Sequence, residues 1–211
     1  MRLLTKSILF GGGVMVAGWV GWGIYSSRKA QTVPYEHLCT LSGVELRRYP
    51  QTVLVETTAP NQRSAFRRLF RYISGDNREN ESMSMTSPVQ THNGESISMT
   101  APVRSGTAET DTDTVQMAFY LPSEYTPETA PKPTESDVTL VTEAQKKVAV
   151  DQFSWYAPEW RVERRTRKLV STLEREGIEL KGDPYLLRYN DPWTPPFMRR
   201  NEVAVEVAAE N

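Results

Sequence analysis

Hydrophobic and polar positions alternate most regularly between residues 81 and 103, where one nine-residue phrase occurs twice. Glu81-Ser-Met-Ser-Met-Thr-Ser-Pro-Val89 is followed by Glu95-Ser-Ile-Ser-Met-Thr-Ala-Pro-Val103, with Gln90, Thr91, His92, Asn93 and Gly94 between them. Met83, Met85, Ser87 and Val89 share one face and Ser82, Ser84 and Thr86 the other, which is the period of a strand. A three-residue loop of His92, Asn93 and a left-handed Gly94 sets Val89 opposite Ile97 and Met85 opposite Ala101. That register keeps the dry faces together, so a hairpin is expected. Pro88 and Pro102 have no N–H for a ladder, so each copy should end at an edge or bulge rather than inside a sheet.

Elsewhere the pattern changes period. Residues 44–49 and 52–57, separated by Pro50, are rich in β-branched and aromatic side chains and predict two strands. Asn61 then caps a helix in which Phe66, Leu69, Phe70 and Ile73 recur at i, i+3, i+4 and i+7, and Gly75 stops it. Its other faces carry Arg63, Arg67, Arg68 and Arg71. Residues 104–114 are polar and acidic and read as an exposed loop; 115–121 predict a strand and 123–137 a proline-rich connection. Strands are expected at 138–141 and 147–153, and a second helix at 158–176, with Val162, Leu169 and Leu173 on one side, Pro158 in its first turn and Gly177 beyond its end. Residues 185–189 and 202–207 predict closing strands. Strands, helix, strands, twice over, imply an α+β fold: a distorted antiparallel β-barrel with two flanking helices in pseudo-symmetric halves.

Ahead of this domain, residues 7–25 carry no charge and are long enough for a membrane-crossing helix, with Trp19, Trp22 and Tyr25 toward its outer end. Arg28 and Lys29 stand where a signal peptidase would need small residues, so an uncleaved transmembrane helix is expected. The organisation is then a membrane anchor at 1–29, a linker at 30–34 and a domain at 35–208. A short N-terminal tail stays in the cytoplasm, which places the chain as a single-pass protein of a bacterial inner membrane with a periplasmic domain.

The chain has 211 residues and a formal net charge of −1, which argues against nucleic acid as a bulk electrostatic partner. Cys39 is the sole cysteine, excludes an internal disulfide and reads as a small half-buried side chain. The two histidines, His37 and His92, fall in a lead-in segment and a turn, poor places for the base of a nucleophile. Gly-rich phosphate loops, CxxC pairs and HExxH do not occur. Binding rather than catalysis is the expectation.

Several phrases occur together in a recognisable order. Met99-Thr-Ala-Pro-Val103, with its twin at Met85, resembles the signature of the SOUL haem-binding-protein family. Similar matches are Val44-Glu-Leu-Arg-Arg-Tyr-Pro50, Phe70-Arg-Tyr-Ile-Ser-Gly-Asp-Asn77, Phe119-Tyr-Leu-Pro-Ser123, Pro131-Lys-Pro133, Val148-Ala-Val150, Tyr189-Asn-Asp-Pro-Trp193 and Arg199-Arg-Asn-Glu-Val203. The resemblance implies a barrel akin to bacterial effector-binding domains, and haem or another tetrapyrrole held in an apolar cleft beside the first domain helix. Aligned on the family pattern, Arg63 and Arg71 are candidate propionate partners and Phe66 and Phe70 the candidate wall. The same phenylalanines also read as core, since an amphipathic helix must bury a stripe.

Some family members place a histidine where this chain has Arg48, and a guanidinium offers iron no lone pair. Met83, Met85 and Met99 carry thioethers but read as core filler on a dry strand face. Trp193 and Phe197, on a proline-rich approach, either cover a ligand at one end of the barrel or belong to a motif that pins the last strand. The alternative to a haem buffer or carrier is an effector-sensing or interaction module that takes another apolar small ligand.

Overall fold

The computed structural model describes Gly21 and residues 31–78, 96–108 and 111–208. In chain order the elements are β1 (Gln31–Thr32), β2 (Glu36–Leu41), β3 (Val44–Tyr49), β4 (Thr52–Ala59), α1 (Gln62–Ile73), β5 (Asn77–Arg78), β6 (Thr100–Ala101) and β7 (Val103–Ala108). Then come β8 (Asp111–Tyr120), β9 (Lys132–Pro133), β10 (Thr139–Glu143), β11 (Lys146–Phe153), α2 (Glu159–Arg175), β12 (Leu180–Arg188) and β13 (Asn201–Val207).

Nine strands pair antiparallel into one sheet, in the order β10-β4-β8-β7-β12-β13-β11-β3-β2. Period-2 alternation sorts their side chains. In β3, Val44 and Leu46 pack toward α2, while Tyr49 enters a cluster with Leu54, Ala118, Tyr120, Val148, Val150, Tyr185, Leu187 and Ala204. β3 and β4 lie near opposite edges of the sheet, yet Tyr49 and Leu54 share that cluster. The sheet therefore curls on itself as a distorted, effector-binding-like barrel, with one helix outside each half.

Asn61 caps α1 as expected, its side chain accepting from the Ser64 N–H at 2.9 Å, and Gly75 follows the helix at φ 119°. Ala65, Leu69, Tyr72 and Ile73 are buried against Val53, Val55, Phe119 and Leu121 of β4, β8 and the residue after β8. Full burial of Leu69 and Ile73 contributes roughly 1.5–3 kcal/mol each. On α2, Leu169 and Leu173 are buried against β11, β12 and β13, with Val162 partly so. Asp151 of β11, almost wholly buried, pins this helix through Arg165 at 3.2 Å and Lys168 at 2.9 Å.

Other expectations need correction. Residues 104–108 and 111–114 are not loop: they belong to β7 and β8, which pair from Val103↔Phe119 to Ala108↔Asp111. Their Ser, Gly, Thr and Asp residues lack an apolar alternation, but β7 has a ladder on both sides, so hydrogen bonding sets its conformation. The first copy of the repeated phrase and its loop, with His92, lie outside the described residues. In the second copy, residues 96–99 have no regular structure; the Ile97 N–H donates to the Ile73 carbonyl at 2.8 Å and its side chain joins the α1 core. Thr100 and Ala101 pair parallel with β1, Pro102 interrupts the chain, and the strand after it is central rather than an edge. Met99 is exposed, not core filler. Cys39 is exposed as well, because β2 is an edge strand.

The membrane anchor is also corrected. Among the described residues no helix is long and apolar enough to cross a membrane. α1 and α2 have 12 and 17 residues and each carries a charged face, whereas a bilayer core takes about 20 predominantly apolar ones. Residues 7–25 lie outside the described residues apart from Gly21. The placement in a bacterial inner membrane with a periplasmic domain is accordingly withdrawn.

Candidate functional site

The stripe that α1 buries is rotated from the one its spacing suggested. Ala65 and Tyr72 take the core positions, and Phe66 and Phe70 turn outward, 39% and 48% exposed. Their rings stack at 5.9 Å between centroids, 15° from parallel, and Phe66 meets the buried Phe119 edge-on at 5.4 Å. The result is an open apolar face on the outside of the barrel. Arg63, one residue into the helix, is exposed. Arg71, two turns on, is half exposed and paired with Glu135, with Asp76 at 3.9 Å. Arg68 is held by Asp137 at 3.2 Å and by the Thr58 carbonyl at 2.8 Å. Of the four candidate residues, the structure brings the two rings together and leaves Arg63 and Arg71 at opposite ends of the helix.

Inside the barrel the structure assembles a group that periodicity did not reveal. Glu202 of β13, fully buried, accepts from Arg47 Nη1 at 3.0 Å, from the Tyr189 hydroxyl at 2.7 Å and from Arg200 Nε at 2.8 Å. Arg47 is equally buried and donates onward to Glu45 at 2.7 Å, while Tyr35 stacks under its guanidinium at 4.3 Å. Burial alone would lower the Arg47 pKa, but its bonds to Glu202, Tyr49 and Glu45 outweigh that and raise it. Burial raises the Tyr189 hydroxyl, helped by the negative charge of Glu202. The signal for this group was a charge in a strand at core parity, Arg47 between Glu45 and Tyr49. Its partner stood 155 residues away.

These groups leave little space in the barrel. The cavity bounded by Val33, Tyr49, Tyr120 and Tyr185 holds about 10 Å³, far below the 300 Å³ or more of a small-molecule pocket. A second cavity of about 190 Å³ opens at the β7–β12 end, where Arg104 lies 4.0 Å over the Tyr185 ring and, with Lys146, engages Glu143. Burial lowers the Lys146 pKa and raises that of Glu56 beside it. Neither space admits a macrocycle.

The remaining candidates resolve simply. Arg48 points outside and pairs with Glu36 at 2.6 Å. His37 lies in β2, 3.0 Å from the Thr40 hydroxyl. The 190–200 segment is pinned by Asp191, which accepts from the Trp193 and Thr194 N–H groups, and by Arg199, which donates to the Thr194 and Pro192 carbonyls. The Trp193 and Phe197 rings are exposed.

An antiparallel barrel with two outer helices and a buried ionic centre defines an α+β barrel domain. The chain belongs to the SOUL haem-binding protein family, whose profile, described as "SOUL heme-binding protein", matches residues 30–206. It is similar to heme-binding protein 2 of Mus musculus, 26% identical over 143 residues, covering 66% of this chain and 63% of that protein. Heme-binding protein 1 of Xenopus laevis is 31% identical over 140 residues, 64% of this chain and 65% of that protein. The chain thus spans a little under two thirds of the length of each. The C-terminal domain of EcmrR superposes with a TM-score of 0.50 at 11% identity, covering 82% of this chain and 98% of that one, a likeness of fold alone.

Proposed function

We propose that this protein binds haem or a related tetrapyrrole, without catalysing a reaction, on the outer face of α1, and acts as a buffer or carrier. The observation that carries the reading is the stacked, exposed Phe66–Phe70 pair on a helix with Arg63 at one end and Arg71 at the other. A porphyrin needs apolar surface for its faces and cations for its propionates, and α1 offers both. The full barrel interior argues for an outside seat. Arg71 would exchange Glu135 for a propionate at little loss, because a solvent-exposed ion pair contributes only about 0–1 kcal/mol.

Bound haem would supply its iron's ligand and redox chemistry, and the chain's part is to hold and shield the macrocycle. Phe66 and Phe70 cover one face and Arg63 and Arg71 neutralise the carboxylates. Arg48, paired with Glu36, supplies no axial lone pair.

Titration of the full chain with hemin, followed by Soret absorbance, tests this. A saturable change is expected, weakened about tenfold or more in a Phe66→Ser, Phe70→Ser variant and in an Arg63→Ala, Arg71→Ala variant, since removing a buried ring or a charge-assisted bond is worth about 1.5–3 kcal/mol. Absence of saturation in the parent protein, or equal affinity in both variants, would overturn the reading.

A further inference from the structure

A groove of about 760 Å³ runs between the two helices, over the seam where β7 meets β12. Gln62 stands at the α1 side, Val162 and Thr166 at the α2 side, and Val115 and Leu186 supply apolar floor. The volume is that of a small-molecule site. The floor also carries Arg188, partly buried and donating to the Ser105 hydroxyl at 2.9 Å, and among the described residues this arginine makes no ion pair. A guanidinium has five N–H donors in a planar fork suited to a carboxylate. Burial lowers the Arg188 pKa with no opposing carboxylate, the reverse of what happens at Arg47.

The other charges at the groove do not fill this role. Glu163 is taken by Arg167 at 3.7 Å, one turn along α2, and Glu159 is exposed in the first turn of that helix, where the helix dipole already favours it. Arg47, Arg68, Arg104, Arg165 and Arg200 each have an acidic partner, and Arg199 is held by the Thr194 and Pro192 carbonyls. Arg188 alone among these faces an apolar space large enough for a ligand.

We propose that the groove is a second binding site, separate from the α1 outer face, for an anionic amphiphile: one carboxylate received by Arg188 and Ser105, and an apolar body along Val115, Val162 and Leu186. Charge complementarity selects this occupant, because an uncharged apolar guest would leave the guanidinium desolvated and unpaired.

The experiment compares dodecanoate with dodecanol, each titrated calorimetrically into the full chain below micelle-forming concentrations. Dodecanoate should bind saturably at one site, about 10- to 100-fold tighter than dodecanol, the range of a charge-assisted pair. Arg188→Met should erase that preference and leave dodecanol unchanged. Thr166→Trp, which fills the groove from a partly exposed helix position, should weaken both ligands; with the parent's preference it decides the matter if Arg188→Met does not fold. Hemin should leave dodecanoate binding intact.

No dodecanoate binding, equal affinity for acid and alcohol, or a preference that survives Arg188→Met would each overturn the proposal. Displacement of dodecanoate by hemin, one for one and dependent on Arg188, would also overturn it by seating the tetrapyrrole in the groove. Loss of hemin binding in the Phe66→Ser, Phe70→Ser variant with dodecanoate unaffected separates the two sites.

Discussion

Replacing Glu202 by Gln keeps the shape of the side chain and removes its charge from a site with no solvent. Three donors converge on that carboxylate, Arg47 at 3.0 Å, Tyr189 at 2.7 Å and Arg200 at 2.8 Å, and they occupy both oxygens. A carboxamide turns one of those oxygens into an N–H₂, which faces either Arg200 or the Arg47–Tyr189 pair, donor against donor. Among the described residues Glu45, which is partly in water, is then the one acidic partner left to Arg47, which stays buried itself. Breaking a buried ion pair from one side costs about 3–5 kcal/mol. Domains have about 5–15 kcal/mol in total, so much of the margin goes. At about 2–4 °C per kcal/mol for a chain of this size, the melting temperature should fall by roughly 6–20 °C.

Urea unfolding and thermal melts of Glu202→Gln, Glu202→Leu, Arg47→Met and an Arg47→Met, Glu202→Leu double variant measure this directly. The double variant should be more stable than the sum of its parts by about 2–3 kcal/mol, because neither buried charge remains. A Glu202→Gln melt within about 2 °C of the parent, or strictly additive single variants, would refute the claim that the ionic centre acts as a unit.

Alkaline titration should show the buried tyrosines. Tyr49, Tyr120, Tyr185 and Tyr189 are all raised above the ordinary value of 10.0, chiefly by burial, so the folded state holds their protons more tightly than the unfolded chain. Their contribution to stability is complete below about pH 10 and is lost as pH rises beyond it. Tyrosinate absorbance should therefore rise in two steps, the second coinciding with loss of circular dichroism, and a single step with the fold intact would contradict the burial argument. At the start of α1, Asn61→Ala should lower stability by about 1 kcal/mol in urea while Asn61→Asp retains it, since only the latter can accept from the Ser64 N–H. Equal midpoints for the two variants would show that the cap contributes nothing.

The period of the hydrophobic pattern, with the residues that interrupt it, determined much of this molecule. Asn61 and Gly75 bound the first helix, Pro158 and Gly177 the second, and runs rich in β-branched and aromatic residues at 44–49, 52–57 and 147–153 marked strands, because a capping side chain, a left-handed glycine and strand propensity are local properties. The ordered motifs pointed to the family that the profile match then established. Tertiary structure decided the rest, wherever the outcome depended on what lay opposite. Two stripes on α1 were nearly equivalent by spacing, and the surface of β4 and β8 selected Ala65 and Tyr72 for burial, which left Phe66 and Phe70 outside. β7 is a strand despite its polar sequence because β8 and β12 pair with it on both sides. Arg47, Arg188 and Glu202 are charged residues on sheet faces, and nothing local tells which distant residue, if any, each will meet. Only the closing of strands far apart in the chain brought Arg47 and Glu202 within 3.0 Å and left Arg188 facing a groove.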